Sequence, residues 1–287
     1  MTDKQVFDII LTLAEREDNI RAFLMEGSRA NPLATQDKWR DFDIVYVTRA
    51  NAPYIDGEWL KREFLPQFGE VAVKQIPDNG DPNLVYTWLI QFASGVRVDL
   101  TFNSLEFLSR PDVKLERATV VLLDKDAHFA DIPAPSERDY LPKRPTTQEF
   151  ADCCNEFWWV SPYVSKALAR GQLLLALELL NEVVRPEYTQ MLVWFGGAKT
   201  DFAVNFGKHG WNIGQFVPQY LYEPLINSYP HAEHVEISTA LNELISSFPA
   251  LAAQTADMLG FHYDASEGER TTKFIREYFR SAQNAGE

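Results

Sequence analysis

From Lys4 to Arg16 the apolar side chains fall at Val6, Ile9, Ile10, Leu13 and Ala14. That three-and-four spacing gathers them into one stripe and predicts an amphipathic helix. The period then shortens. Ile20–Met25, Phe42–Thr48, Val71–Ile76, Val85–Phe92, Val96–Phe102 and Thr119–Leu123 are short runs rich in β-branched and aromatic residues, parted by turn-forming stretches; together they predict one mixed sheet. In the fifth run the alternation is strict, with Val96, Val98, Leu100 and Phe102 on one face and Arg97, Asp99 and Thr101 on the other. Between the second and third runs, Trp59, Leu60, Phe64 and Leu65 take helical spacing within Asp56–Phe68, and Gly69 is placed to stop that helix.

The pattern changes at Asp131–Pro145, where Pro133, Pro135, Pro142 and Pro145 each remove a backbone donor. A domain boundary is expected there, separating residues 1–135 from 136–287. Beyond it the strand signal fades. Thr147–Ala169, Gln172–Phe195, Ala232–Phe248 and Arg270–Gln283 read as largely helical, the first capped by Thr146 with Glu149 three residues on. The expected fold is α+β: an N-terminal domain of mixed sheet and helices, then a C-terminal helical bundle.

Charge narrows the partners. A formal net charge of −14 and a pI of about 4.8 argue against nucleic acid, whose phosphates need a basic surface. A cationic partner would be drawn in, although acidic balance also serves solubility. Met1–Glu15 lacks an apolar core of the export type, and no window approaches a membrane-spanning apolar run. Cys153 and Cys154 are adjacent on an expected helix, a spacing suited to neither a disulfide nor a metal. A soluble cytoplasmic protein with reduced cysteines is expected.

Three pieces of the first hundred residues fit one chemistry. Gly27-Ser28-Arg29 follows the strand Ile20–Met25; glycine permits a turn there, and Ser28 offers an N–H and a hydroxyl to a phosphate oxygen. Asp41-Phe42-Asp43 opens a strand, so its carboxylates at i and i+2 project to one side, a costly placement unless a divalent cation joins them. Hard oxygen ligands of this kind suit Mg²⁺. The third piece is Asp99, a carboxylate in mid-strand. Each piece alone is also an ordinary feature: a turn, a solvated pair, a residue on a polar face. If the strand of Asp99 lies beside that of Asp43, the three carboxylates form a cluster able to hold two Mg²⁺ ions for in-line phosphoryl displacement.

Gly-Ser, then twelve residues, then Asp-x-Asp at a strand and a third Asp on a later strand resembles the signature of the DNA polymerase beta-like nucleotidyltransferases. Within that superfamily the chain is most similar to the streptomycin (aminoglycoside) 6-adenylyltransferase family. That closer resemblance is carried by Glu26-Gly27-Ser28-Arg29, Asp41-Phe42-Asp43-Ile44, Val98-Asp99-Leu100-Thr101 and Leu122-Leu123-Asp124-Lys125-Asp126, and above all by Lys143-Arg144-Pro145-Thr146 with Cys153-Cys154-Asn155-Glu156-Phe157-Trp158. Leu180-Asn181-Glu182-Val183-Val184-Arg185-Pro186 and Gly207-Lys208 extend it over essentially the whole chain.

The resemblance implies Mg-dependent transfer of AMP from ATP to a hydroxyl of streptomycin, with release of pyrophosphate and resistance to the drug. It implies that Asp41, Asp43 and Asp99 hold the metal ions, with Asp99 also placed to take the acceptor's proton. Gly27, Ser28 and Arg29 would bind phosphates, helped by a lysine of the helical domain, Lys208 first and Lys166 second. A pocket for the guanidinium groups of streptomycin would draw on carboxylates and aromatic faces. Glu182, Glu178 and Trp158 are the candidates, with an ion pair to Arg185 the alternative for Glu182 and core packing the alternative for Trp158. The triad reads ATP and metal, so another acceptor hydroxyl is compatible with it, as is a non-catalytic relative that binds nucleotide or drug. A phosphotransferase ranks last, because neither a Walker-type loop nor a kinase-like His-Arg-Asp set is present.

Overall fold

A computed structural model describes residues 1–115 and 118–284, with side chains through Glu277. The chain divides into two compact units, Met1–Asp139 and Tyr140–Glu287, four residues beyond the boundary expected from the prolines.

In the first unit, α1 (Asp3–Arg16) starts at a capping box. Thr2 Oγ1 accepts from the Gln5 N–H at 3.3 Å while Gln5 Oε1 accepts from the Thr2 N–H at 2.8 Å, so two otherwise orphaned donors are satisfied. The strands β1 (Ile20–Glu26), β2 (Phe42–Thr48), β3 (Val71–Gln75), β4 (Val85–Phe92), β5 (Arg97–Ser104) and β6 (Val120–Asp124) form one sheet in the order β3-β4-β5-β2-β1-β6. Among the described strands only β2 and β5 pair in parallel. Alternate residues of β2 serve two faces: Ile44 and Tyr46 join the large core that includes Val6, Ile10 and Leu13 of α1, whereas Val45 and Val47 join a smaller cluster with Ala22 and Leu24. Short helices α2 (Gly27–Ala30), α3 (Ala52–Ile55) and α4 (Leu105–Leu108) connect the strands.

The segment Leu122 to Asp126 proves to be a clasp. Lys125 Nζ donates to the carbonyls of Ala14, Glu15 and Glu17 at 2.8 to 3.2 Å, a cation closing the C-terminal end of α1. Asp126 accepts from Nε and Nη2 of the buried Arg21.

The expected helix Asp56–Phe68 is irregular. It consists of a π turn at Leu60–Phe64 and a 3₁₀ turn at Leu65–Gln67. Pro66 has no N–H to return to the preceding turn, and it falls in the 3₁₀ turn that ends this segment. Gly69 follows with φ +88°.

The second unit is helical: α5 (Thr147–Ala169), α6 (Leu173–Leu179), α7 (Arg185–Lys199), α8 (Gln219–Asn227), α9 (His234–Leu259) and α10 (Ala265–Asn284). α5 begins at the expected capping box between Thr146 and Glu149. Its buried stripe meets α9, with Phe157 stacked on Phe248 at a centroid distance of 3.7 Å. Three helical expectations change. A five-residue π turn, Leu180–Val184, separates α6 from α7. α9 runs through Pro249, because Leu251, Ala252, Ala256 and Leu259 continue its buried stripe and outweigh one missing hydrogen bond. α8 lies in a stretch left unassigned from sequence. The thiols of Cys153 and Cys154 are free and buried, and burial pushes that of Cys154 up to about 12 and that of Cys153 higher still. Among the described residues no helix is long and apolar enough to cross a membrane.

Candidate active site

β1 passes into α2 through Gly27, whose φ of +66° is in the left-handed region. A Cβ on Gly27 would lie 2.2 Å from Asp43 Oδ2. Glycine is therefore required twice, for the turn and for the space the carboxylate fills. Asp43 lies opposite Glu26 of β1 on one side and opposite Asp99 of β5 on the other. Because β2 and β5 are parallel and in register, both aspartates project from the face carrying the smaller cluster. Glu26, Gly27, Asp43, Thr87, Asp99 and Thr101 line a cavity of about 300 Å³ there.

Arg97 supplies countercharge. Its Nε and Nη2 donate to Asp99 Oδ1 and Oδ2 at 3.0 and 2.9 Å, and its Nη1 lies 3.5 Å from Asp41 Oδ2. The hydrogen bond with Asp99 raises the pKa of Arg97. Burial pushes the Asp41 carboxyl above its ordinary range; Arg97 opposes that shift and Asp99 adds to it.

Of the expected triad, then, Asp43 and Asp99 come directly together, while Asp41 is joined to Asp99 through Arg97. Among the described residues no three carboxylate, imidazole or thiolate side chains stand at metal-ligand spacing. The donor chemistry nevertheless fits Mg²⁺: the ligands are hard oxygens, two of them in register on one face, and the positive charge they need is carried by a guanidinium. The Arg97 side chain is 42% exposed.

Arg29 requires correction. Its guanidinium is buried against the ring of Phe42 at 3.6 Å and donates to Asp3 and to the carbonyls of Arg40 and Asp41. With these acceptors it braces the start of β2 and is not available to a phosphate. Ser28 is half-buried in α2, and Arg40, which sequence reasoning passed over, reaches its carbonyl with Nη1 at 3.5 Å. Arg97, Thr87 and Thr101 were also missed as site residues. Their signal was the strict alternation of the strands, which places Arg97 and Thr101 on the face of Asp99.

The remaining candidates belong to the second unit. Trp158 is a core residue, 2% exposed, with Nε1 donating to Tyr263 Oη at 3.3 Å; it presents no free face to a drug. Its neighbour Trp159 is exposed, since adjacent helical positions face different ways. Glu178 and Glu182 are both exposed. Arg185 bonds to Asn181 and Ser228 instead of Glu182. Lys166 lies over the ring of Tyr163 at 4.9 Å. Lys208 is exposed after Gly207.

A family model described as streptomycin adenylyltransferase matches residues 1–278. The aminoglycoside 6-adenylyltransferase of Campylobacter jejuni is 31% identical over 281 residues, covering 96% of either chain. That of Bacillus subtilis (strain 168) is 31% identical over 274 residues, 93% of this chain and 95% of the other. A crystal structure of an aminoglycoside 6-adenyltransferase from Bacillus subtilis is similar at 27% identity and a TM-score of 0.46, covering 97% of this chain and 99% of that one. The protein is an enzyme of the nucleotidyltransferase class. Within that class it belongs to the streptomycin adenylyltransferase family.

Proposed function

We propose that the enzyme transfers AMP from ATP to a hydroxyl of streptomycin in a Mg²⁺-dependent reaction, releasing pyrophosphate and conferring resistance in the cytoplasm. The observation that carries this reading is the in-register pair Asp43 and Asp99 in one cavity beside Gly27. The likeness to relatives named for adenylyl transfer to aminoglycosides supports the acceptor. The charge of −14 favours a cationic drug.

Asp41, Asp43 and Asp99 would hold two Mg²⁺ ions. Bound there, the metal would supply Lewis-acid stabilisation of phosphate charge and lower the pKa of the acceptor hydroxyl. The chain's own residues do the rest. Asp99 takes the hydroxyl proton as the oxygen attacks the α-phosphorus; the bond from that phosphorus to the bridging oxygen breaks, and pyrophosphate leaves. Gly27 and Ser28 present backbone N–H groups to the phosphates, with Arg40 as the nearby cation. Lys208, or failing it Lys166, neutralises the departing pyrophosphate. Glu182 and Glu178 receive the guanidinium groups of the drug.

The test is pyrophosphate release from ATP and Mg²⁺, with and without streptomycin, by the intact enzyme and by Asp99→Ala. Streptomycin-dependent release that vanishes in the variant is expected. Release that depends on a different hydroxyl acceptor would reassign the substrate, and release undiminished in Asp99→Ala would refute the role of the triad.

A further inference from the structure

Along α5 the buried positions follow the helix period, with Phe150, Cys154, Phe157, Val164 and Leu168 turned to the core. The opposite face carries Glu156, Trp159 and Tyr163, three and four residues apart and all exposed, so their side chains are neighbours on one stripe. Trp158 shows what this helix does with an indole that it packs: it is 2% exposed, whereas Trp159 is 62% exposed. Trp159 and Tyr163 meet edge to face, with centroids 6.0 Å apart and planes at 82°. Two aromatic rings thus stand together at the surface, a placement that core packing does not explain.

The charges around this pair are out of balance. Lys166 Nζ stands over the Tyr163 ring at 4.9 Å, so one aromatic face of the stripe already carries a cation. Among the described residues no cation stands over Trp159, and none pairs with Glu156, one turn before it, or with Glu187 of α7. Glu187 is half-buried, and burial raises its carboxyl above the ordinary range; Cys153 opposes that shift and the charge of Glu156 adds to it. Two carboxylates therefore repel each other beside an uncovered indole. A cation laid on Trp159 and paired with Glu156 would remove that repulsion.

We infer that Trp159 and Glu156 form a guanidinium-binding ledge through which the enzyme selects acceptors bearing that group over those bearing only ammonium groups. A guanidinium is planar and weakly hydrated, so it stacks on an aromatic ring while its edge reaches a carboxylate with two parallel N–H bonds. An ammonium is a compact, strongly hydrated point charge that gains less from either contact. Adenine, the other flat group of the reaction, arrives with phosphates, and two carboxylates disfavour them. This selection rests on the acceptor reading proposed above, to which it adds the residues that make the choice.

The test is calorimetric titration of the full chain with streptomycin and with kanamycin, which carries ammonium groups and no guanidinium. Mg²⁺ and α,β-methylene ATP, whose α–β link cannot break, are present so that the nucleotide is bound without reacting. Streptomycin should bind the parent at least about tenfold tighter than kanamycin, the worth of a charge-assisted contact. Trp159→Ala should weaken streptomycin about fivefold or more, the usual worth of a ring beneath a cation, and leave kanamycin unchanged. Trp159→Phe should recover most of that loss, and Glu156→Gln should lose about tenfold. None of these surface variants should melt appreciably below the parent. In steady-state pyrophosphate release, Trp159→Ala should raise KM for streptomycin by the same factor and leave KM for ATP unchanged. Parental streptomycin binding in Trp159→Ala, an equal loss for kanamycin, or a rise in KM for ATP instead would each overturn the ledge while leaving the transfer reaction standing. Streptomycin that binds with the expected pattern yet supports no pyrophosphate release would refute the transfer reading alone.

Discussion

Replacing Gly27 by alanine tests the site at its tightest point. Two costs arise, and they can be separated. The first is conformational: an L-residue at φ +66° pays about 1–2 kcal/mol for the left-handed backbone. The second is steric, since the new Cβ would fall 2.2 Å from Asp43 Oδ2 and 3.0 Å from its Cγ. Relief to ordinary contact moves the carboxylate by roughly 1 Å, and a displacement of that size in a reacting geometry costs about a hundredfold in rate. Gly95→Ala is the matched control, because Gly95 has φ +89° and nothing within 4 Å of a Cβ. Both variants should lose similar stability from the backbone alone, measured by urea unfolding. Only Gly27→Ala should lose about a hundredfold in kcat for streptomycin-dependent pyrophosphate release. A Gly27→Ala enzyme with the activity of Gly95→Ala would show that the position of Asp43 is not critical, and the reasoning would fall.

Other perturbations follow from the same geometry. The Asp41 carboxyl is raised above 3.8, mainly by burial, so the charged form costs stability as pH rises through the raised value; Asp41→Asn should therefore melt no lower than the parent at pH 7, the difference closing below 3.8, while its pyrophosphate release falls at least about tenfold. Trp158→Ala should lose about 3–5 kcal/mol of stability as a core truncation, whereas Trp159→Ala should change it by less than about 0.5 kcal/mol, both read by chemical denaturation. Glu182→Gln should raise KM for streptomycin, and Lys208→Ala KM for ATP, each roughly tenfold or more as a lost charge-assisted bond; steady-state kinetics with the other substrate saturating would reveal unchanged constants if either assignment is wrong.

Period and caps made much of the fold legible. Phe42–Thr48 and Val85–Phe92 were readable to the residue because alternate side chains serve different faces, and Thr146 with Glu149 marked the start of α5. Strand adjacency was not legible. Nothing local in Phe42–Thr48 states that β5 will lie beside it, so the meeting of Asp43 with Asp99 could be written only as a condition. Tertiary partners were equally hidden: Arg29 looks like a phosphate ligand until Asp3 and two carbonyls are found to hold it. Trp158 and Trp159 are chemically alike, and only helix packing shows which one is buried. The helix expected to end at Phe248 runs on through Pro249, because Leu251, Ala252, Ala256 and Leu259 carry its buried stripe onward.

The parallel pairing of β2 with β5 makes the acidic pair sensitive to slippage. The two strands contribute one carboxylate each at matched positions, so deleting Arg97 or Val98 with the start of β5 held in register would carry Asp99 to the opposite, core-facing side and bring Leu100 into its place. Loop changes between the strands carry no such penalty, provided both still dock in step. During synthesis, the acidic pair cannot exist until β5 has emerged and found β2, however well the first strands have folded. The pair is therefore a product of long-range closure between strands more than fifty residues apart in the chain.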